Sequence, residues 1–374
     1  GDDNFLAETR AALQVADSAV VIVDAVDGVK VGTEKVWATA AKYRLPSLLF
    51  INKMERERAN FDKVVQEIKD ILKAKPVLLQ LLISLKAFTF DASGKATEID
   101  LPADLKEEAE AQRSELLNFA AESDDALIEK FLEEGQLSPE EVLQGLRLGT
   151  LAGNFVPVLC GAATQMTGIS LLLDAINAFL PSPADRGPVT GVNPKTKAEV
   201  SLPPDPDGPF CAYVFKTVAD PYAGRLSIFR IYSGTLKSDS SFYNANKETT
   251  ERFGQLFLPE GKGQKSVEAA GPGVFAAVAK LKETVTGETL CDESKPILLP
   301  TPEPPKTVVT FAVEPKSRGD EDKVYSSISR LIEEDPSLQL ARNAETKEIL
   351  LSGMGQVHIE ATVEKLKRKF GVEV

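Results

Sequence analysis

The chain has 374 residues, 43% hydrophobic and 26% charged, which supplies apolar side chain for folded cores and predicts about two to four domains of roughly 100–200 residues. Its longest apolar stretches, Val77 to Leu85 and Ala19 to Val23, fall short of the roughly 20 residues that cross a bilayer, so no membrane association is expected, and a lone histidine, His358, excludes a multi-histidine metal cluster or a Ser-His-Asp triad elsewhere. Three cysteines, Cys160, Cys211 and Cys291, without CxxC spacing argue against a disulfide framework or zinc site and for a reducing cytoplasm, while a net charge of −13 is unfavourable for nucleic acid unless it is confined to one region.

Gly1 replaces the usual Met at the first position, and the chain reads as a fragment that opens with a helical run from Phe5 to Asp17. Ala19 to Val23 is a continuous β-branched run closed by Asp24 and Gly28, the pattern of a buried parallel strand. Thr33 to Lys42 predicts a helix and Pro46 to Ile51 a second buried strand. Phe61 to Lys73 predicts another helix, with Val64, Val65, Ile68, Ile71 and Leu72 on one face. Two successive βα units imply an α/β sheet with right-handed crossovers. A third strand, Phe155 to Cys160, and a helix, Ile169 to Phe179, resume the pattern until Pro181, Pro183 and Pro188 end it.

Between them lies an expected insertion, about residues 66–153, with a turn at Asp91 to Gly94 and two or three amphipathic helices. The clearest run from Asp125 to Leu132 and from Ser138 to Leu148, the second opened by a Ser138/Glu141 capping box with Pro139 at its first position. Fourteen acidic residues face three basic ones from Asp100 to Glu141, so the remainder of the chain is nearly neutral. Such a patch fits either a basic protein partner or a solvated helix face, and leaves other surfaces able to meet RNA phosphate.

From about Gly208 the period shortens. Alternating segments at 210–217, 224–234, 241–244, 252–258 and 273–280, separated by Gly, Pro, Asp and Asn, predict a small closed β-barrel. Pro300, Pro302, Pro304 and Pro305 form a stiff linker. The order strand 307–313, helix 320–334, strand 338–341, strand 348–352, helix 355–370 and strand from Val372 is the βαββαβ of a ferredoxin-like domain. The expected division is a partial nucleotide-type α/β domain at 1–187, a barrel at 188–296 and the ferredoxin-like domain at 306–374.

Ligands of an α/β sheet bind at the carboxyl ends of its strands, which selects three loops. Asn52-Lys53-Met54-Glu55 sets an amide and a carboxylate three residues apart, able to read a nucleobase edge while the lysine stem packs over the ring; a plain turn into a helix has the same composition. Cys160-Gly161-Ala162-Ala163 has small residues that let backbone N–H groups approach a ligand, as would a simple strand-to-helix turn. Gly1 to Phe5 precedes the first helix.

Taken in order, these loops resemble those of translational GTPases, closest to elongation factor G and its diverged relatives. Asn52-Lys53-x-Glu55 resembles the guanine-reading NKxD loop, Cys160 to Ala163 the CGSA loop whose backbone meets the guanine oxygen, and Gly1 the last residue of the DxPG switch. The resemblance continues through 220–225, Tyr232 to Gly234, Thr286 to Cys291, Glu333 to Pro336 and Gly353 to Glu360, and so spans the chain. It implies a P-loop-type α/β domain with helical insertion, a translation-factor β-barrel and a ferredoxin-like domain; GTP or GDP with Mg2+ as cofactors, the metal's ligands lying outside this chain; and a monomeric cytoplasmic GTPase that works on the ribosome, meeting ribosomal RNA and proteins and, through the acidic insertion, the stalk protein. The implied role is a step of elongation such as tRNA–mRNA translocation; a non-hydrolytic ribosome-binding factor and a ribosome-protection GTPase are the alternatives. No GxxxxGK[ST] occurs in the sequence, so the chain as given is not expected to hydrolyse GTP alone. Asp2 stands where the family's water-positioning histidine would be, Glu55 replaces its aspartate and Ala162 its serine. His358 is expected to pack and hydrogen-bond, and Lys365, Lys367, Arg368 and Lys369 either to meet RNA phosphate or to solvate a helix end.

Overall fold

The computed structural model describes residues 3–79, 86–91, 95–220, 224–261, 263–301, 307–317 and 319–374. The chain divides into two compact units: Ala16–Ser182, and Pro183–Val374 together with residues through Val15. Helix α1 (Leu6–Val15), expected to open the α/β domain, therefore packs with the later part of the chain.

The Ala16–Ser182 unit is built on strands β1 (Ala19–Asp24), β2 (Ser47–Asn52) and β3 (Pro76–Leu78), with helices α2 (Val31–Lys42) and α3 (Phe61–Asp70). A hairpin, β4 (Lys86–Phe90) and β5 (Ala96–Asp100), leads into helices α4 (Lys106–Ala121), α5 (Asp125–Glu134) and α6 (Pro139–Ala152), then β6 (Val156–Cys160) and α7 (Ile169–Phe179). The sheet is parallel in the order β1-β2-β6-β3. β2 reads Ser-Leu-Leu-Phe-Ile-Asn, and its alternation feeds two cores. Leu48 and Phe50 join α7 and the insertion helices, whereas Leu49 and Ile51 join Val64, Val65 and Ile68 of α3. All four β2 side chains are at most 1% exposed, and each stabilises the sheet by about 1.5–3 kcal/mol.

β3 comes from the stretch that the sequence pattern placed in the insertion; a three-residue strand is too short to show a period. The turn at 92–94 and the segment 80–85 lie outside the described residues. Within the insertion, the Ser138/Glu141 capping box forms as expected, with Asp124 capping α5 through the N–H groups of Ala126 and Leu127. α4 carries little amphipathic pattern, yet it buries Ala109, Leu116 and Ala120 against α6. The approach is so close that a Cβ on Gly145 would lie 2.2 Å from Ala120 O.

The other unit begins after residue 183 with a hairpin, β7 (Val189–Val192) and β8 (Glu199–Leu202), then strands β9 (Cys211–Asp220), β10 (Gly224–Ser233), β11 (Leu236–Lys237), β12 (Ser241–Asn244), β13 (Thr249–Arg252), β14 (Leu256–Glu260), β15 (Gly263–Val267), β16 (Ala269–Ala270), β17 (Phe275–Ala279) and β18 (Thr289–Cys291). Eight of them form the barrel sheet, in the order β13-β12-β18-β9-β10-β17-β14-β15, around Phe229, Ile231, Leu256 and Leu290. Cys211 and Cys291, distant in sequence, are directly opposed on β9 and β18 as buried free thiols, and burial holds the Cys291 thiol up at about 11.

Next come β19 (Val309–Val313), α8 (Glu321–Glu334), β20 (Gln339–Arg342), β21 (Ile349–Gly353) and α9 (Gln356–Phe370). The sheet is antiparallel, in the order β19-β21-β20, and both helices share its core through Val324, Ile328, Leu331, Ile359 and Leu366. The strand expected from Val372 does not form. Gly371 ends α9 at φ +61, and the chain is then held by burial of Val372 and a bond from Lys316 N–H to Glu373 O.

Within this unit α1 is clamped at several points. Glu8 pairs with Lys216 at 2.6 Å, Gln14 donates to Pro300 O at 3.2 Å, and the buried Arg230 donates from Nη1 to Val15 O. Arg225 joins barrel to α8: its Nη2 donates to Leu281 O and Lys282 O, and its Nη1 meets Glu333 Oε2 at 3.0 Å.

Candidate functional site

Parallel pairing aligns the carboxyl ends of β1, β2 and β6, with Asp24 opposite Asn52 and Ile51 opposite Cys160. The loops that follow are therefore neighbours, and hydrogen bonds tie them. Asn52 Oδ1 accepts from Ala163 N–H at 2.9 Å, and Met54 N–H donates to Gly161 O at 3.1 Å. With Oδ1 engaged, the Nδ2–H donors of Asn52 suit an acceptor such as a purine ring nitrogen.

The 160–168 loop holds its shape by sterics. Ala162 and Thr167 exchange N–H···O bonds in both directions, at 3.0 and 3.1 Å. A Cβ on Gly161 would fall 2.3 Å from Thr167 O and 2.8 Å from Phe50 Cζ, so only glycine fits there. Gly168 takes φ +77, and a Cβ there would fall 2.6 Å from Cys160 O. Ala162 is buried and Ala163 exposed, which leaves the backbone at Ala163 at the surface of the loop.

Lys53 adopts φ +68, a left-handed conformation costly for a residue with a Cβ, and its ammonium meets Asp24 Oδ2 at 2.5 Å. That hydrogen bond, joined by the N–H groups of Val26 and Asp27, holds the Asp24 carboxyl down at about 2. Asp24 was legible in the sequence only as the residue that closes the first strand; its pairing with Lys53 depends on parallel register. Glu55 lies on the turn after Met54, with Arg56 Nε 3.7 Å from its carboxylate. Gly1 and Asp2 lie outside the described residues. The 3₁₀ turn Asp3–Phe5 just after them reaches the Gly353–Gly355 motif of the ferredoxin-like domain: the Phe5 ring stands edge-on to His358 at 6.2 Å, and a Cβ on Gly355 would touch Asn4 Oδ1.

His358 is buried and bonded at both ring nitrogens: Nδ1 accepts from Met354 N–H at 3.1 Å, so Nε2–H donates to Asp335 Oδ2 at 2.8 Å. Burial raises the Asp335 pKa, but the bonds from His358 and Ser337 outweigh it and hold the carboxyl below its usual range. Lys367 pairs with Glu373 at 2.9 Å and Lys369 with Glu334 at 2.6 Å. Among the described residues, no group of three or more His, Cys, Asp or Glu side chains is placed to hold a metal ion, and no helix is long and apolar enough to cross a membrane.

Comparison with known proteins matches three family models in succession: Elongation factor Tu GTP binding domain over residues 1–182, Elongation factor G domain 2 over 209–293, and Elongation Factor G, domain III over 304–374. Elongation factor G of Thermotoga sp. (strain RQ2) and that of Thermotoga maritima are each 40% identical over 389 aligned positions, covering 100% of this chain and 56% of the relative. A crystal structure of a Thermus thermophilus protein superposes with a TM-score of 0.85 at 31% identity, covering 100% of this chain and 55% of the other. The chain thus spans little more than half the length of the curated relatives it matches. With a parallel sheet carrying the two tied loops, a β-barrel and a ferredoxin-like domain in this order, the chain belongs to the family of elongation-factor-G-like translational GTPases.

Proposed function

We propose that the protein is a translation elongation GTPase whose base-reading pocket is the end of the β1-β2-β6 sheet. The observation that supports this is the tie between Asn52 and Ala163, which joins the amide-bearing loop to the loop of small residues at the carboxyl end of the sheet. Asn52 and Glu55 read the edge of the guanine, Lys53 covers its face from the half-exposed stem that Asp24 anchors, and the Cys160–Ala163 loop, tied to Asn52, closes the side of the base site. The donor and acceptor set fits GTP and GDP.

In the intact protein Gly1 and Asp2 would stand beside the γ-phosphate. Asp2 places a negative charge there, which opposes a phosphate electrostatically and slows hydrolysis unless a cation or ribosomal group offsets it. The hydrolytic cycle would drive a step of elongation on the ribosome, with the acidic α4–α6 insertion meeting the basic surface of a stalk protein. The test is ribosome-stimulated GTP hydrolysis by the intact protein. Slow turnover that Asp2→His accelerates supports the reading; turnover that Asp2→His abolishes gives Asp2 a catalytic role of its own, and no ribosome-dependent turnover in either form favours a non-hydrolytic ribosome-binding factor. Glu55→Asp, which removes one methylene, should tighten GDP binding; weaker binding by calorimetry would count against base reading by Glu55.

A further inference from the structure

The parallel sheet also carries a cavity at its opposite end. About 500 Å3 of space opens at the amino ends of β2, β3 and β6, lined among others by Trp37, Arg44, Ser47, Lys73, Lys75 and Asn154. β2 is six residues long, so at about 3.3 Å per residue this cavity lies roughly 17–20 Å from Asn52 and is separate from the base-reading loops. Its volume falls within the roughly 300–1,000 Å3 of small-molecule sites.

The lining has one sign of charge. Arg44 comes from the link between α2 and β2, and Lys73 and Lys75 from the link between α3 and β3, so cations from two separate connections converge. Among the described lining residues none is acidic, in a chain whose net charge is −13. A concave site walled by low-dielectric groups focuses such a field. The apolar part of the wall includes Trp37, Ala40 and Leu45, and a bond from the Trp37 indole N–H to Leu72 O at 3.1 Å fixes the ring's orientation.

We propose that this cavity binds a free phosphate-bearing small molecule of nucleotide size, with Arg44, Lys73 and Lys75 taking the phosphates and Trp37 flanking the remainder. The guanidinium suits a bidentate grip on a phosphate, and the ammonium groups add point charges. Nothing in this assignment depends on guanine being read at the other end of the sheet.

Trp37 is the only tryptophan in the chain, so its emission reports on this cavity directly. Tripolyphosphate and ATP, titrated separately, should each shift that emission saturably. The Lys73→Gly/Lys75→Glu variant should weaken the response at least about tenfold while far-UV circular dichroism stays unchanged; glycine is chosen because Lys73 sits at φ +53. Arg44→Gly, at φ +52, is the second variant should the first not fold. Asn52→Ala should leave the response intact. The proposal is overturned by no saturable shift, by a shift equal in the folded cation variants, by one that Asn52→Ala removes, or by a response to a single-stranded RNA oligomer alone.

Discussion

Asp24 shows how one residue's chemistry follows from register. Its carboxyl is held at about 2, so it contributes stability above its unfolded pKa near 4 and loses that contribution as pH falls from about 4 to about 2. Asp24→Asn should therefore lower the melting temperature at neutral pH and flatten the acid side of a stability–pH curve in that interval; parallel curves for the two proteins would mean that the Lys53 pairing adds nothing. Gly161→Ala tests the second loop. Its Cβ would meet Thr167 O and Phe50 Cζ, so a cost of about 1–3 kcal/mol should appear in urea unfolding, with disrupted binding at the loop. An unperturbed midpoint would show that the loop relaxes freely. Asn52, Lys53, Glu55 and the Cys160–Ala163 loop were legible because each is a short local pattern after a strongly apolar strand. Asp24 and Thr167 were not, because their partners are set by register and loop closure, which no local pattern records.

Among the elements, α1 is the most informative case. Its sequence predicts a helix, but which body it joins is decided by a buried guanidinium on β10 at its carboxyl end, where the helix dipole favours a cation. Arg230→Met should cost about 1.5–3 kcal/mol, in line with loss of a charged hydrogen bond, and should raise amide exchange in the last turn of α1 selectively. Uniform exchange along the helix would contradict the clamp. On α5, Glu129 and Glu133 lie one turn apart and exposed, whereas Asp124 is the N-cap. Glu129→Lys with Glu133→Lys should slow association of the intact protein with ribosomes, most at low salt, while changing stability by only about 0.5 kcal/mol each. Asp124→Lys should cost about 1 kcal/mol by removing the cap, whatever the partner. An on-rate indifferent to both reversal and salt would leave the stripe as a solvated face. The capping box of α6 was legible because it is a local four-residue signal. α4 was not, since its alanine-rich and acidic turns bury small side chains and blur the period, and β3 is too short to announce itself.

For the whole molecule, the order of α/β unit, barrel and ferredoxin-like domain could be read from the change in hydrophobic period along the chain. What the period could not show is that residues through Val15 leave the α/β unit to pack with the barrel and α9, or that the stretch after Gly371 closes the last core without a strand. Those outcomes turn on contacts between residues distant in sequence, such as Arg230 with Val15 and Val372 in the core it shares with α8 and α9. Guanine reading by the tied loops at the ends of β2 and β6 is tested most directly by calorimetric titration of the intact protein with GDP and with ADP, before and after Asn52→Ala. The expected result is selective GDP binding that Asn52→Ala weakens by about tenfold to a hundredfold, the loss of about 1.5–3 kcal/mol of polar contact, with ADP weak throughout. GDP affinity unchanged by Asn52→Ala, or equal affinity for ADP, would contradict it.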